Sequence, residues 1–337
     1  MLAVRYYGPR DIRTEKIEKP SCGPDQVLVR VAYAGICGSD MHNYRKGMFM
    51  TYAPETMGHE FSGVVCEVGR NIKGWKEGMH VIGDPRVYCG QCTWCAQGLT
   101  NLCPDLGFIG EVSPGSFASY IIMDPNKLLP ISRHVPLEEA ALAEPLAVAI
   151  HIARLGQFQQ LYPKEDIVGI IGAGPIGLLT LMLAREIYKI KTQIFDISSE
   201  RLKLAKEIGA ECCLQEITSA NENKVSLSVE AVGKGITLEK AMLWVKPRGK
   251  LVMAGLYEDE CILDPNPIVT KEIKLIGINS YEKIDLYEAI DYLEKSLINV
   301  RPLITAIISA SQAAEAFTML DSDLKKAGKL LLKFDAE

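Results

Sequence analysis

The sequence feature that most constrains the fold is a glycine-rich turn between an apolar strand and an apolar helix. Residues 170–179 read Ile-Ile-Gly-Ala-Gly-Pro-Ile-Gly-Leu-Leu, and the helical pattern that follows runs through Arg185. In such a Gly-x-Gly-x-x-Gly turn the first glycine permits the tight turn, the second lets backbone approach a pyrophosphate, and the third allows close helix packing. The helix N-terminus offers unpaired N–H groups to phosphates. The candidate cofactor-binding residues of the turn are Gly172, Gly174, Pro175, Ile176 and Gly177.

Short apolar strands alternate with helical segments from Ile167 onward, which is typical of a parallel sheet covered by helices. Six strands would complete a doubly wound dinucleotide-binding sheet. We predict them at 167–171, 193–195, 211–214, 227–230, 250–254 and 274–278. The first ~145 residues hold Gly, Pro and β-branched runs between turn signals and indicate an irregular β-rich domain. Two helices and a last strand follow the parallel sheet, at 284–297, 312–320 and 329–334.

An acidic residue stands where such a fold contacts the ribose of its cofactor. Asp196 lies nineteen residues past Gly177. Its carboxylate could accept both ribose hydroxyls and would repel a 2′-phosphate, so it favours NAD over NADP. Arg201 is a further candidate contact. The alternatives are that Asp196 caps the next helix through Ser198 and Ser199, and that Arg201 belongs to a solvated helix face.

A run of four cysteines within fifteen residues is the second informative feature. Two-residue gaps separate the first three and a longer gap precedes the fourth, a spacing that suits one tetrahedral zinc cage of four thiolates. Because such a cage has no open position, we expect a structural zinc site. A pair of disulfides or a redox Cys-x-x-Cys is the alternative, although nothing indicates a secreted mini-protein. The four candidate ligands are Cys89, Cys92, Cys95 and Cys103.

Further metal-ligating side chains lie in separate segments. A catalytic zinc keeps three protein ligands and one open position. Cys37, His59 and one carboxylate, from Glu60 or Glu144, would supply such a set. Taken singly, a buried cysteine and a His-Glu pair are common structural features. Their occurrence together with the four-cysteine lobe favours metal binding.

Composition excludes several classes of function. With 37 basic and 42 acidic residues the net charge is -5, and no Lys/Arg-rich block occurs, so nucleic acid is not an expected partner. No signal-peptide pattern is readable, and no apolar stretch reaches the roughly eighteen residues of a membrane span. Ten cysteines without an export signal fit a reducing compartment. We therefore expect a cytoplasmic protein.

Together these motifs resemble zinc-containing members of the medium-chain dehydrogenase/reductase family, the alcohol and polyol dehydrogenases. The resemblance covers nearly the whole chain. It implies a GroES-like catalytic domain at 1–147 with the zinc lobe at 89–103, and a Rossmann domain with a doubly wound parallel sheet at 148–283. Residues 284–337 would return to the catalytic domain.

Glu144, in the segment Ala-Glu-Pro-Leu, is similar to the glutamate of sorbitol-like, threonine-like and sugar-alcohol-phosphate dehydrogenases. Segments 107–111 and 195–200 resemble the galactitol-1-phosphate 5-dehydrogenase branch. The resemblance implies hydride transfer between NAD and a secondary alcohol, either a polyol or a sugar-alcohol phosphate. It also implies one catalytic and one structural zinc per chain, a small-molecule substrate, and a homodimer or homotetramer paired through strand 274–279.

A route for the alcohol proton follows from the residues beside Cys37. Ser39 and His42 could pass the proton to solvent by way of the cofactor ribose. Asp40 is a candidate acceptor that holds His59 in one tautomer. The alternative is that Ser39 caps a helix starting near Asp40 and that His42 is a partly exposed surface residue.

One segment departs from the family pattern. The polar link at 215–225 is too short for a crossover helix, which needs about a dozen residues. We expect a turn there, beside the adenine end of the cofactor cleft. Two alternatives to the dehydrogenase remain: a zinc-free quinone or enoyl reductase, which should lack the metal set, and a non-catalytic family member that binds nucleotide.

Overall fold

The computed structural model describes residues 1–322 and 328–335. Strands in the first part are short and mostly antiparallel, because β-branched runs there alternate with glycine and proline turns. The strands are β1 (Leu2–Gly8), β2 (Asp11–Lys16), β3 (Val27–Gly35), β4 (Glu55–Thr56), β5 (Glu60–Val68), β6 (His80–Gly83), β7 (Arg86–Val87), β8 (Gly107–Phe108), β9 (Tyr120–Met123), β10 (Leu128–Pro130), β11 (Ile167–Ile171), β12 (Lys191–Phe195), β13 (Cys212–Leu214), β14 (Val225–Glu230), β15 (Val245–Met253), β16 (Lys274–Gly277), β17 (Ile304–Ser309) and β18 (Lys329–Lys333).

Ten α-helices lie among the described residues. None of them is long and apolar enough to cross a membrane. The helices are α1 (Gly38–Lys46), α2 (Thr93–Ala96), α3 (Leu137–Ala140), α4 (Ala143–Gly156), α5 (Pro175–Met182), α6 (Ser199–Ile208), α7 (Gly235–Trp244), α8 (Asn266–Thr270), α9 (Lys283–Glu294) and α10 (Ala313–Ser322).

In the main sheet of the first part, strands from the first 130 residues pair with β18, the last strand in the described part of the chain. Its order is β10-β6-β5-β3-β18-β17, with β9 also paired to β3. Strand β18 runs antiparallel to β3 and places Leu331 opposite Gly35. On the other side of β3, Gly35 lies opposite Glu60 at the start of β5. The chain end therefore lies beside the segments that carry Cys37 and His59.

The second sheet is parallel throughout, in the order β13-β12-β11-β14-β15-β16. This is the doubly wound order in which the strand that precedes the glycine turn lies in the middle. All six predicted strands are present. Strand β15 begins earlier than predicted, because Val245 already pairs with Val225 before the register shifts.

The link between β13 and β14 holds only a single 3₁₀ turn, Ser219–Asn221, as its length predicts. Thr218 caps this turn, with its hydroxyl accepting from the Ala220 amide at 3.3 Å. A one-turn connection gives the sheet no covering helix at this point. The sheet therefore has no helix layer over the connection from β13 to β14.

The largest apolar core lies where the two parts of the chain meet. Helix α4 is buried along most of its length and packs against α5 and α9. Its apolar side chains share this core with Val168 of β11 and Leu331 of β18. The core therefore holds the glycine turn and the main antiparallel sheet in one fixed arrangement, with the candidate metal ligands between them.

Candidate active site

The four sulfurs of the cysteine lobe lie within 4.8 Å of one another. Cys89 Sγ is 3.5 Å from Cys103 Sγ and 4.0 Å from Cys95 Sγ. Four thiolates bound tetrahedrally to zinc at about 2.3 Å would be separated by roughly 3.8 Å. The lobe therefore fits one zinc ion with no ligand missing.

Backbone amides prepare the lobe for thiolates. Cys92 N lies 3.4 Å from Cys89 Sγ, and Cys95 N lies 3.5 Å from Cys92 Sγ. Hydrogen bonds from the backbone of Gln91 and Cys92 lower the pKa of the Cys89 thiol. Because zinc binds the thiolate form, hydrogen-bond donors placed in this way stabilise the form of the cysteine that zinc requires.

The second metal cluster joins Cys37, His59 and Glu60, whose ligand atoms lie within 4.8 Å of one another. Cys37 is the residue before α1, and His59 and Glu60 stand at the start of β5. The pairing of β3 with β5 places the two segments side by side. A thiolate, an imidazole and a carboxylate at this spacing fit a zinc ion that keeps an open position.

His59 has a polar neighbour on each side of its ring, but only one of them is within hydrogen-bond distance. Ser39 Oγ lies 3.3 Å from Nε2, and Asp40 Oδ1 lies 3.8 Å from Nδ1. Nδ1 is buried and has no hydrogen-bond partner among the described residues. The capping alternative for Ser39 is wrong, because the cap is Cys37 and Ser39 lies in the first turn of α1. Asp40 instead accepts from the Cys37 amide at 2.8 Å.

Glu144 opens α4 and is buried on the other side of the cluster. Burial, together with the neighbouring Glu60 carboxylate, raises the pKa of Glu144 to about 7. Two carboxyl groups, a thiol and an imidazole lie together in this buried place. Their oxygen, sulfur and nitrogen atoms are ligands that zinc accepts, so the donor set fits zinc.

One buried cation that the sequence analysis missed lies here. Lys329 donates from Nζ to the Ile36 carbonyl at 3.1 Å and to Glu60 Oε1 at 2.6 Å. Its signal in the sequence is weak: a single lysine at the start of an apolar strand. Glu60 therefore has a permanent cationic partner, whereas Glu144 has none that comes as close among the residues described.

Two further buried side chains near the metal cluster were not predicted. Tyr281 is fully buried, and burial together with nearby Glu144 raises its pKa well above the ordinary value. Glu111 lies beside Asn43, whose Nδ2 is 3.5 Å from Oε1. Burial raises the pKa of Glu111 to about 7, and nearby His59 only partly opposes that effect. Tyr281 and Glu111 lie in loops that are distant in the sequence from Cys37 and His59.

The glycine turn has the geometry that its sequence predicts. Gly172 has φ +100°, and a Cβ on Gly177 would lie 1.8 Å from the Gly172 carbonyl oxygen. A Cβ on Gly174 would meet nothing within 4 Å. Pro175 is the first residue of α5, and Ile176 follows it in the same turn. The free space at Gly174, in front of a helix N-terminus, fits a pyrophosphate.

Asp196 ends β12 and has both structural and binding potential. Its Oδ2 accepts from the Ala173 amide at 2.8 Å, and its Oδ1 accepts from the Ser198 amide at 2.9 Å. Ser198, not Asp196, caps α6. Arg201 Nη1 lies 3.5 Å from Asp196 Oδ2, so Arg201 stands beside the candidate ribose position. The predicted cofactor-binding residues thus lie together at one edge of the sheet.

A buried carboxylate orders the loop after β14. Glu230 accepts from the amides of Val232 and Gly233 at 2.9 and 3.0 Å, and from Thr237 Oγ1 at 2.8 Å. Tyr257 donates to its other oxygen at 3.1 Å. Sequence reasoning did not single out Glu230.

The zinc lobe contacts the loop that carries Tyr281. Asn101 Nδ2 donates to the Asn279 carbonyl at 3.1 Å, and Asn279 Nδ2 donates to the Asn101 carbonyl at 2.8 Å. Arg86, which is buried and paired with Asp84 at 2.8 Å, lies over the Tyr281 ring at 4.4 Å. The lobe is therefore docked against the wall of the metal cluster.

Comparison with known proteins identifies the family. Residues 23–133 match the family described as alcohol dehydrogenase GroES-like domain, and residues 175–295 match the one described as zinc-binding dehydrogenase. A sorbitol dehydrogenase of Bacillus subtilis (strain 168) is 32% identical, covering 94% of this chain and 92% of its own. The chain belongs to the zinc-binding alcohol dehydrogenases. The predicted medium-chain family, with its GroES-like and Rossmann parts, is thereby confirmed.

Solved structures place this alcohol dehydrogenase near polyol enzymes. A galactitol-1-phosphate dehydrogenase from Escherichia coli superposes with a TM-score of 0.90 at 28% identity, over 99% of this chain and 100% of that one. A dehydrogenase (rspB) from E. coli CFT073, complexed with NADH, superposes with a TM-score of 0.90 at 29% identity over 99% of each chain. The dehydrogenase is thus an oxidoreductase of the zinc-binding family, similar over its whole length to enzymes that act on polyols and to one that binds NADH.

Proposed function

We propose that this dehydrogenase transfers hydride between NAD and a secondary alcohol of a polyol or a sugar-alcohol phosphate, as galactitol-1-phosphate 5-dehydrogenases do. One observation carries the proposal: Cys37, His59 and Glu60 converge within 4.8 Å, next to the sheet that bears the glycine turn. A zinc ion held by these residues would supply a Lewis acid for the substrate hydroxyl, and NAD bound at the glycine turn would supply the hydride acceptor.

The protein's own groups fix the geometry of this step. Cys37 and His59 would hold the metal with Glu60 or Glu144 as the third ligand. Because Lys329 already engages both oxygens of Glu60, at 2.6 and 2.5 Å, the two glutamates are not equivalent. Glu60 would be the third ligand, because its carboxylate lies within 4.8 Å of the Cys37 and His59 ligand atoms, and Glu144 would be the carboxylate that could exchange with it.

Ser39 and His42 would carry the proton away. Ser39 Oγ lies 3.3 Å from the His59 ring, hence at the rim of the metal cluster. His42 lies three residues further along α1, on the same face of the helix. Replacing Ser39 by Ala should lower kcat while zinc content stays the same; undiminished turnover would remove Ser39 from the path.

Asp196 is proposed to select NAD. Its carboxylate stands at the end of β12 beside Arg201, where a 2′-phosphate would meet negative charge. The variant Asp196→Ser should raise the ratio of kcat/KM for NADP to that for NAD. An unchanged ratio, with the fold intact by circular dichroism, would show that Asp196 serves only to hold the glycine turn.

The substrate class is tested by a dehydrogenase screen. Polyols, their phosphates, threonine and short diols are offered with NAD or NADP, with and without a chelator. We expect chelator-sensitive, NAD-dependent oxidation of at least one polyol or polyol phosphate. Inactivity on every alcohol despite bound zinc would overturn the proposal in favour of a non-catalytic nucleotide-binding protein.

The remaining expectations concern organisation. The division of the chain at about residues 147 and 283 is supported by the change from antiparallel to parallel pairing. A homodimer or homotetramer is supported by the outer strand β16, where Leu275 is 39% exposed, and by Val269 nearby, which is 73% exposed. Light scattering after gel filtration tests it. A cytoplasmic location would keep the zinc-binding thiols reduced.

A further inference from the structure

A carboxylate from the nucleotide-binding part reaches across to the helix that carries the proton path. Glu258 lies in the loop after β15, and its Oε1 is hydrogen-bonded to His42 Nδ1 on α1. Its carboxylate also lies 3.3 Å from Lys46 Nζ and 3.6 Å from Arg45 Nη1. Three basic side chains of one helix thus face a single carboxylate that is distant in the sequence.

These contacts differ in their shelter from water. The side chains of His42 and Glu258 are 18% and 22% exposed, whereas those of Lys46 and Asp259 are 47% and 88% exposed. An exposed ion pair such as Lys46 with Asp259 contributes little. The pair of His42 with Glu258 is the sheltered one, so its geometry is the better defined.

The other basic side chains near Glu258 also pair with further carboxylates. Lys46 lies 3.0 Å from Asp259. Arg45 is engaged through Nε by Asp321 at 2.8 Å. Although burial opposes ionisation, hydrogen bonds from His42 and Lys46 lower the pKa of Glu258. Glu258 therefore stays a carboxylate at neutral pH and accepts from the His42 ring.

An acceptor on Nδ1 has a chemical consequence for the ring. The hydrogen bond that one ring nitrogen makes decides which nitrogen carries the proton. With Glu258 on Nδ1, the neutral ring of His42 carries its proton there, and the lone pair of Nε2 is left to accept. A carboxylate behind an imidazole fixes both tautomer and orientation.

We infer that Glu258 is a positioning residue for His42, holding its ring in the tautomer and orientation that accept the proton passed on from Ser39 by way of the cofactor ribose. The inference rests on the proposed proton path. Because His42 and Glu258 come from the two parts of the chain, the proposed proton path depends on residues of both parts.

The first test needs no turnover. Nitrogen-15 NMR of histidine-labelled, zinc-loaded enzyme reports the tautomer of each ring, and the variant His42→Gln assigns the His42 signal. We expect His42 protonated on Nδ1 in the wild type and mainly on Nε2 in Glu258→Ala. The matched control Asp259→Ala removes a neighbouring carboxylate that also faces Lys46, and it should leave the His42 signal unchanged.

The second test is kinetic. Glu258→Ala should lower kcat for the alcohol about tenfold, as is usual when a histidine loses its orienting carboxylate, with the KM values for alcohol and NAD within about twofold. Glu258→Asp should restore part of kcat, and Asp259→Ala should match the wild type.

Three results would overturn the inference: an unchanged His42 tautomer in Glu258→Ala, an effect confined to the KM for NAD, or an equal loss in Asp259→Ala. Failure of the proposed proton path looks different. There the tautomer changes as expected, but neither Ser39→Ala nor Glu258→Ala alters kcat.

Discussion

Lys329 and Glu60 form a fully buried ion pair, in which Nζ lies 2.6 Å from Oε1 and 2.5 Å from Oε2, with both side chains at most 2% exposed. The pair joins the last described strand of the chain to the candidate zinc site. Removing one partner of a buried pair leaves the other charge uncompensated, which costs about 3–5 kcal/mol. Here a zinc ion beside Glu60 could supply the missing charge.

The variant Lys329→Met should therefore behave differently with and without metal. We expect the free energy of unfolding of the zinc-free protein to fall by about 3 kcal/mol, and that of the zinc-loaded protein to fall less. Urea unfolding of both forms measures the difference. Lys333→Met is the matched control on the same strand, since Lys333 is half exposed and paired with an exposed Asp335. Equal losses in both forms of Lys329→Met would contradict the expectation.

Cys103→Ser should remove the structural zinc alone. Cys103 is buried and its sulfur lies 3.5 Å from Cys89 Sγ, so the cage cannot close without it. We expect zinc content to fall from about two ions per chain to about one, measured by plasma emission spectrometry after dialysis. Cys261→Ser, at an exposed thiol outside both clusters, should keep both ions. A full zinc complement in Cys103→Ser would rule out the four-thiolate cage.

Alanine substitutions at two glycines of the nucleotide turn should affect different properties, stability in one case and NADH binding in the other. In Gly177→Ala the new methyl would lie 1.8 Å from the Gly172 carbonyl oxygen, so we expect a loss of stability of about 3 kcal/mol or more. In Gly174→Ala the methyl enters open space, and the unfolding free energy should stay within about 0.5 kcal/mol. NADH affinity, followed by fluorescence titration, should nevertheless fall about tenfold in Gly174→Ala. Unimpaired NADH binding by that variant would place the pyrophosphate elsewhere.

The half-buried Lys127 should make the free energy of unfolding depend on pH in the alkaline range. Its Nζ donates to the Arg86 carbonyl at 2.8 Å, and burial, outweighing the attraction of Asp84, lowers the pKa of Lys127 to about 8. Between pH 8 and the ordinary lysine pKa of 10.5 the unfolded chain binds more protons than the folded one, so this contribution to stability rises with pH. The unfolding free energy of the wild type, relative to Lys127→Met, should increase from pH 8 to pH 9.5. If the difference in unfolding free energy between the wild type and Lys127→Met stays constant from pH 8 to pH 9.5, the prediction is wrong.

The parts of the fold that the sequence predicts well depend on local patterns. Six parallel strands, the glycine turn and the thiol spacing of the lobe are each encoded within a few neighbouring residues, and all six strands occur in the structure. The cluster of Cys37, His59 and Glu60 was also predictable, because the short range 35–60 carries all three. Their assignment as zinc ligands stays a prediction until metal is measured.

The partners of these residues could not be predicted in the same way. Lys329 meets Glu60 across 269 residues, and Glu258 meets His42 across 216. Neither contact follows from periodicity or spacing, because each depends on how strands from opposite ends of the chain, or two separate sheets, are packed. The available signal for Lys329 was a lysine at the start of an apolar strand, and that signal does not indicate which residue it pairs with.

The reciprocal pair of Asn101 and Asn279 divides the zinc lobe into two unequal regions. Each amide donates to the other's backbone carbonyl, so a shift of either segment along the other breaks both bonds. The tip of the lobe around Trp94 is exposed, and the described residues there form no comparable reciprocal pair of hydrogen bonds. Variation among related enzymes should therefore be tolerated at the tip and restricted at the Asn101 end, where a change in the lobe would displace the loop that carries Tyr281.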